Sequence, residues 1–168
     1  MRIRRAENAD AAGIAAVHVA AWKEAYAGIV PEEFLAELAP ARRERIWREQ
    51  LSQAASESGV FVAESDDQSI VGFAQGGPTR WAELPASGEL YAIYLLRAYQ
   101  KMGDGRELFQ EVVAELKARG LSSMMCWVLR DGPAVGFYEH MGGRRRAEKE
   151  IVIGGHALIE IAMIWESI

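Results

Sequence analysis

Apolar residues follow two periods along this chain, and the places where one gives way to the other mark its elements. From residue 14 to residue 22 they recur three and four apart, at Ile14, Val17, His18, Ala21 and Trp22. That spacing predicts a helix with one buried face, capped by Asn8 or Asp10 and ended by Gly28. Pro31 suits the first turn of a second helix carrying Phe34, Leu35 and Leu38, and a more polar helix follows over 41–55. Strand-type runs occupy 3–5, 60–64, 70–76 and 89–95, with a hairpin turn at Ser65-Asp66-Asp67-Gln68. The strongest helix, 105–119, keeps Leu108, Phe109, Val112, Val113 and Leu116 on one face and stops at Gly120. A buried strand at 123–129, a short helix at 134–141 and two strands, 144–153 and 157–165, around Gly154-Gly155 complete the pattern. Interleaved in this way, the elements predict a mixed α+β fold.

Composition narrows the class more than the activity. The 168 residues read as a single domain, 1–168, with 50% hydrophobic and 26% charged residues. A net charge of −5 disfavours a general nucleic-acid binder. No apolar run is long enough to span a bilayer, and Met1-Arg2-Ile3-Arg4-Arg5 has no apolar core behind it, so neither a membrane span nor a signal peptide is expected. Cys126 stands alone in an apolar run, which excludes disulfides and cysteine-based zinc sites and reads as core filler. The expected compartment is the cytoplasm.

Most of the chemistry lies where the strand at 89–95 ends and the helix at 105 begins. The link holds Gln100-Lys101-Met102-Gly103-Asp104-Gly105-Arg106. A helix N-terminus presents unpaired N–H groups and partial positive charge, which suits an anion. Gly103 and Gly105 let backbone approach that anion closely, and Lys101 and Arg106 flank it with charge. The spacing is neither a Walker loop nor a dinucleotide fingerprint. Gln-x-x-Gly-x-Gly between a strand and an amphipathic helix instead resembles the coenzyme A pyrophosphate loop of the GNAT acetyltransferase superfamily. A second segment, Asp131-Gly132-Pro133-Ala134-Val135-Gly136-Phe137-Tyr138-Glu139-His140-Met141-Gly142, is similar to that family's Asn-x-x-Ala-x-x-Phe-Tyr-x-x-x-Gly. With the order of elements, the resemblance covers essentially the whole chain.

The resemblance implies a twisted mixed sheet of about seven strands, splayed in the middle and flanked by about four helices. It also implies acetyl-CoA as cosubstrate, no metal, and direct attack by a primary amine in a ternary complex. Gln100, Lys101, Met102, Gly103, Gly105 and Arg106 would hold the pyrophosphate. The strand at 89–95 would bulge, its backbone at Ile93 and Leu95 would pair with the pantetheine arm like an added strand, and the Leu95 N–H would polarise the thioester carbonyl. Tyr138 would protonate the departing thiolate or donate a hydrogen bond to it. Asp131 stands where the family has Asn, and an ionised Asp donates no hydrogen bond.

Glu89 is the expected general base, acting through a water from a strand face shared with Tyr91 and Ile93; the alternative is a strand-end carboxylate in solvent. Glu24 and Glu83 are further candidates. Trp22 and Tyr26, four residues apart, would line the acceptor pocket with Tyr91, although core packing accounts equally for Trp22. His18 reads as a satisfied helix residue, and Arg144-Arg145-Arg146 as a solvated strand edge or a dimer contact. The expected acceptor is a small-molecule amine. A protein N-terminus or lysine is the second reading, and a non-catalytic acyl-CoA-binding regulatory module the third. Pairing of exposed C-terminal strands would make a homodimer.

Overall fold

The computed structural model describes the backbone of residues 1–168 and the side chains of all but 53–57. In chain order the elements are β1 (Arg2–Arg5), α1 (Ala11–Tyr26), α2 (Glu32–Glu37), α3 (Pro40–Glu57), β2 (Gly59–Glu64), β3 (Ile70–Pro78) and β4 (Gly88–Leu95). They continue as α4 (Asp104–Ala118), β5 (Met124–Leu129), α5 (Val135–His140), β6 (Arg144–Ile153) and β7 (His156–Trp165). The five α-helices include α3, the polar helix expected over 41–55. No helix of the described residues is long and apolar enough to cross a membrane.

The seven strands form one sheet in the order β1-β2-β3-β4-β5-β7-β6. Every neighbouring pair is antiparallel except β4 and β5, which run parallel and pair only at Gly88↔Met124 and Glu89↔Met125. Beyond Glu89 the two strands part. The sheet is therefore split along its middle, as the resemblance implied.

Helix α4 covers one face of the sheet and α1 with α3 the other. The α4 stripe Leu108, Phe109, Val112 and Leu116 is buried, each side chain contributing roughly 1.5–3 kcal/mol. Gly76 on β3 makes room for that helix, since a Cβ there would stand 2.4 Å from Val112 Cγ1. Cys126 is buried in the same layer, in keeping with core filler.

Strand β4 holds the decisive irregularity. Gly76 pairs with Leu90 and Gln75 with Ala92, so Tyr91 is an extra residue, a β-bulge. The bulge reverses the alternation: Leu90, Ile93 and Leu95 face α4, whereas Ala92 and Tyr94 face α1 and α3. Gly88 faces Leu116 of α4, which puts Glu89 on the α1 side. Glu89 therefore does not share a face with Ile93, contrary to uninterrupted alternation.

Candidate active site

The split leaves backbone groups of β4 without a strand partner. The Leu96 N–H bonds Val71 O at 3.0 Å, one step beyond the Gly72↔Leu95 pair. Hydrogen-bonded pairs alternate along an antiparallel ladder. Ala92 and Tyr94 thus turn their polar groups to β3, while Ile93 and Leu95 turn theirs toward the space that β5 has left. The Leu95 carbonyl accepts a bond from Gln100 Nε2 at 2.9 Å. The N–H groups of Ile93 and Leu95 form a short free edge, able to take an extended chain as an added strand.

At the end of that edge lies the glycine turn. Gly103 caps α4 in the left-handed region, at φ 105°, and Lys101 is left-handed as well, at φ 65°. The first N–H groups closed onto protein are those of Arg106 and Glu107, both bonded to Gly103 O. Among the described residues, the N–H groups of 101–105 have no acceptor in the protein. The step from left-handed Gly103 into helical Asp104 is the backbone pattern that turns successive N–H groups into one concavity, an anion nest at a helix N-terminus. A Cβ at Gly103 would meet nothing within 4 Å, and one at Gly105 only Phe137 at 3.8 Å, so the concavity is open. Lys101 and Arg106 are exposed, with no carboxylate partner among the described residues. The Met102 side chain is 62% exposed, which leaves its backbone as its contribution to the turn.

Helix α5 brings Tyr138 under the split, against Phe137 and Trp165. The residue is 6% exposed, and its hydroxyl makes no hydrogen bond to a described residue. Burial pushes its phenol well above the ordinary tyrosine value, and Cys126 adds to the rise. Tyr138 is therefore a protonated donor with no partner. Asp131, by contrast, is exposed beyond β5, 3.5 Å from Arg130.

Glu89 is 2% exposed, not a strand-end carboxylate in solvent. Its Oε2 accepts from the Arg80 backbone N–H at 3.0 Å and from Nε at 3.1 Å, and its Oε1 accepts from Nη2 at 2.6 Å. The Arg80 guanidinium lies 4.2 Å from the Tyr91 ring centroid, and the Tyr91 hydroxyl donates to Pro78 O at 2.6 Å. Tyr91 thus belongs with Arg80 and Glu89. Glu24 accepts from the Arg97 N–H at 2.9 Å, and Glu83 is exposed.

Trp22 and Tyr26 do converge, and Tyr94 is what they converge on. The Trp22 Nε1 donates to Tyr94 Oη at 3.0 Å, and the Tyr26 and Tyr94 hydroxyls are 3.5 Å apart. Burial raises the Tyr26 phenol; its bond to Tyr94 opposes the rise and the Glu160 charge adds to it. His18 stacks on Tyr94 at 5.3 Å, and its Nδ1 accepts from Trp47 Nε1 at 3.2 Å. Burial, with the nearby Arg43, lowers its imidazole to about 4, so it is a neutral packed residue, as its place on α1 suggested.

Sequence reasoning missed three residues around the split: Arg80, Tyr94 and Glu160. Arg80 lies in an aperiodic loop with no signal. Tyr94 follows the bulge that moved it to the α1 face. Glu160 could have been found from the alternation in β7, where it is the one acid between Leu158 and Ala162. Among the described residues no three His, Cys, Asp or Glu side chains are grouped as metal ligands.

Comparison with known proteins agrees with this geometry. A model of the acetyltransferase (GNAT) family matches residues 19–143. The uncharacterized N-acetyltransferase YuaI of Bacillus subtilis is 37% identical over 163 residues, covering 97% of this chain and 91% of its own. Among solved structures, the PaiA N-acetyltransferase of Thermoplasma acidophilum in complex with coenzyme A superposes with a TM-score of 0.72 at 20% identity, over 95% of this chain and 96% of its own. The ribosomal-protein-alanine N-acetyltransferase of Brucella melitensis does so with a TM-score of 0.75 at 22% identity, over 98% and 99%.

Proposed function

Since this chain belongs to the GNAT family of acetyltransferases, we propose that it transfers the acetyl group of acetyl-CoA to the primary amine of a small molecule, by direct attack in a ternary complex. The observation that carries this reading is the pairing of two unmet sets of donors. The N–H nest at 101–105 suits a pyrophosphate, with Gln100 closing its approach and Lys101 and Arg106 supplying charge. The free edge at Ile93 and Leu95 suits an amide-bearing arm leading from it.

In this reading the amine nitrogen attacks the thioester carbonyl carbon while the Leu95 N–H stabilises the developing oxyanion. The C–S bond then breaks and its electron pair stays on sulfur. Burial makes the Tyr138 phenol a weaker acid than a thiol, so Tyr138 keeps its proton and serves the thiolate as a hydrogen-bond donor. The sulfur takes its proton from solvent. The nitrogen gives its surplus proton through a water to Glu89, which requires one Arg80 bond to open, and Glu89 returns it to solvent. Trp22, Tyr26 and Tyr91 wall the acceptor side, and Asp131 stands at the mouth as a polar group without a donor role. Among the described residues no Cys, Ser or His is arranged as a nucleophile, and Cys126 is buried with its thiol pushed up by burial, which supports direct transfer. The chain would work in the cytoplasm, as a homodimer paired through the outer edge that β6 leaves free.

The test is thiol release from acetyl-CoA with a panel of small amines and a panel of short peptides. Turnover confined to small amines supports the reading, turnover confined to peptides transfers it to protein acetylation, and binding of acetyl-CoA without any turnover leaves a regulatory module.

A further inference from the structure

Glu160 lies on β7, opposite Leu129 of β5 and Lys149 of β6. Leu158 and Ala162 share its face; the first packs in the cluster of Trp22 and Tyr26, the second in that of Trp81 and Trp127. Its carboxylate thus sits between two aromatic walls, on the α1 side of the sheet, where β5 has parted from β4. Only 20% of the side chain is exposed, yet no donor among the described residues hydrogen-bonds to it. Its polar neighbour is Lys149, with Nζ 3.4 Å from Oε2. A carboxylate that is partly exposed and receives no hydrogen bond from the described residues has acceptor positions open to an arriving donor. Glu89, across the split, already accepts three hydrogen bonds from Arg80.

One side of Glu160 shows which donor fits. Lys149 Nζ lies 3.7 Å from the Trp81 ring centroid and 4.1 Å from that of Trp127, so a primary ammonium already rests against two indoles beside this carboxylate. The other side repeats the aromatic wall without the cation: Trp22 meets Tyr26 edge-on at 4.9 Å and Phe34 at 6.3 Å. The Glu160 charge reaches both Tyr26 of α1 and Cys126 of β5, the two banks of the split.

We propose that Glu160 receives the ammonium group of the acceptor, between Lys149 and Tyr26, where the nitrogen sheds one proton to water before it attacks, and that the acceptor is an arylalkyl amine with no carboxylate beside its nitrogen. A carboxylate there would be carried against Glu160. This assignment rests on the acetyl-transfer reading above.

The experiment follows thiol release from acetyl-CoA with three probes: phenethylamine, L-phenylalanine and a short peptide with a free N-terminal alanine. Wild type is expected to favour phenethylamine over L-phenylalanine in kcat/KM by at least about tenfold. Glu160→Gln keeps the size and removes the charge. It is expected to raise KM for phenethylamine about tenfold, with kcat and the KM for acetyl-CoA within about twofold, and to erase the preference. Lys149→Met keeps the packing between the indoles and removes the resident cation, so KM for phenethylamine should fall. An unchanged KM in both variants, or a wild-type preference for L-phenylalanine, overturns the assignment. Turnover of the peptide alone overturns it and leaves acetyl transfer standing. No thiol release with any probe overturns both.

Discussion

Tyr138 gains its usefulness from what surrounds it. A tyrosine buried on a short helix ordinarily finds a partner for its hydroxyl; this one finds none among the described residues, and burial keeps it protonated. Tyr138→Phe should keep the packing against Phe137 and Trp165 and the affinity for acetyl-CoA, while kcat falls about a hundredfold, the scale of one lost oxyanion-type donor. An unchanged kcat would remove Tyr138 from the chemistry. His18 makes a prediction about stability instead. Its folded value of about 4 lies below the unfolded 6.5, so its contribution is complete above pH 6.5 and is lost as pH falls toward 4, when the unfolded chain takes up a proton that the folded one refuses. The loss is on the order of 3 kcal/mol. His18→Gln retains an acceptor for Trp47, so its melting temperature should fall less than that of wild type between pH 7 and pH 4.5; parallel declines would contradict the assignment. Identity was legible in the sequence at both residues, through motif and helix position. Arg80 was not, because nothing in its loop signals that its guanidinium will close over Glu89.

At the scale of elements, the turn into α4 and the bulge in β4 shape the candidate site; the first was legible in the residues, the second only through the resemblance. Two glycines between a strand and an amphipathic stripe announce a close approach, and Gly103 does take up positive φ. Gly105 is the cleaner test, because a larger side chain there meets only Phe137, at 3.8 Å, and valine is no worse than glycine in a helix. Gly105→Val should leave stability within about 1 kcal/mol and abolish measurable acetyl-CoA binding by calorimetry, since its methyl groups fill the nest. Retained affinity would mean that the nest holds nothing. The bulge was implied by the family resemblance and not by the residues, because it depends on the partner strand: Tyr91 is extra only in relation to Gln75 and Gly76. Continuous alternation consequently placed Glu89 on the wrong face. Gly76→Ala, whose Cβ would also come within 3.0 Å of Glu89 O, should destabilise the fold by about 1–3 kcal/mol, checked by urea unfolding.

For the whole molecule, the central fact is a sheet whose halves stay joined only at Gly88 and Glu89. On one face α4 bridges the halves; on the other the loop after β3 does, with Trp81 on Trp127 and Lys149 and with Arg80 on Glu89. The alternation and helical periods made the strand and helix order legible, and the family resemblance supplied the split. The depth of the split was not legible, since it reflects how few residues of β4 and β5 pair. A protein so built leaves backbone donors without acceptors along the split, at Ile93, Leu95 and residues 101–105. The most direct measurement is therefore amide hydrogen exchange with and without acetyl-CoA. Binding at this site should slow exchange across 93–105 by at least about tenfold, with β1, β6 and α3 unchanged. Exchange across 93–105 that stays as fast with saturating acetyl-CoA as without it would contradict the account.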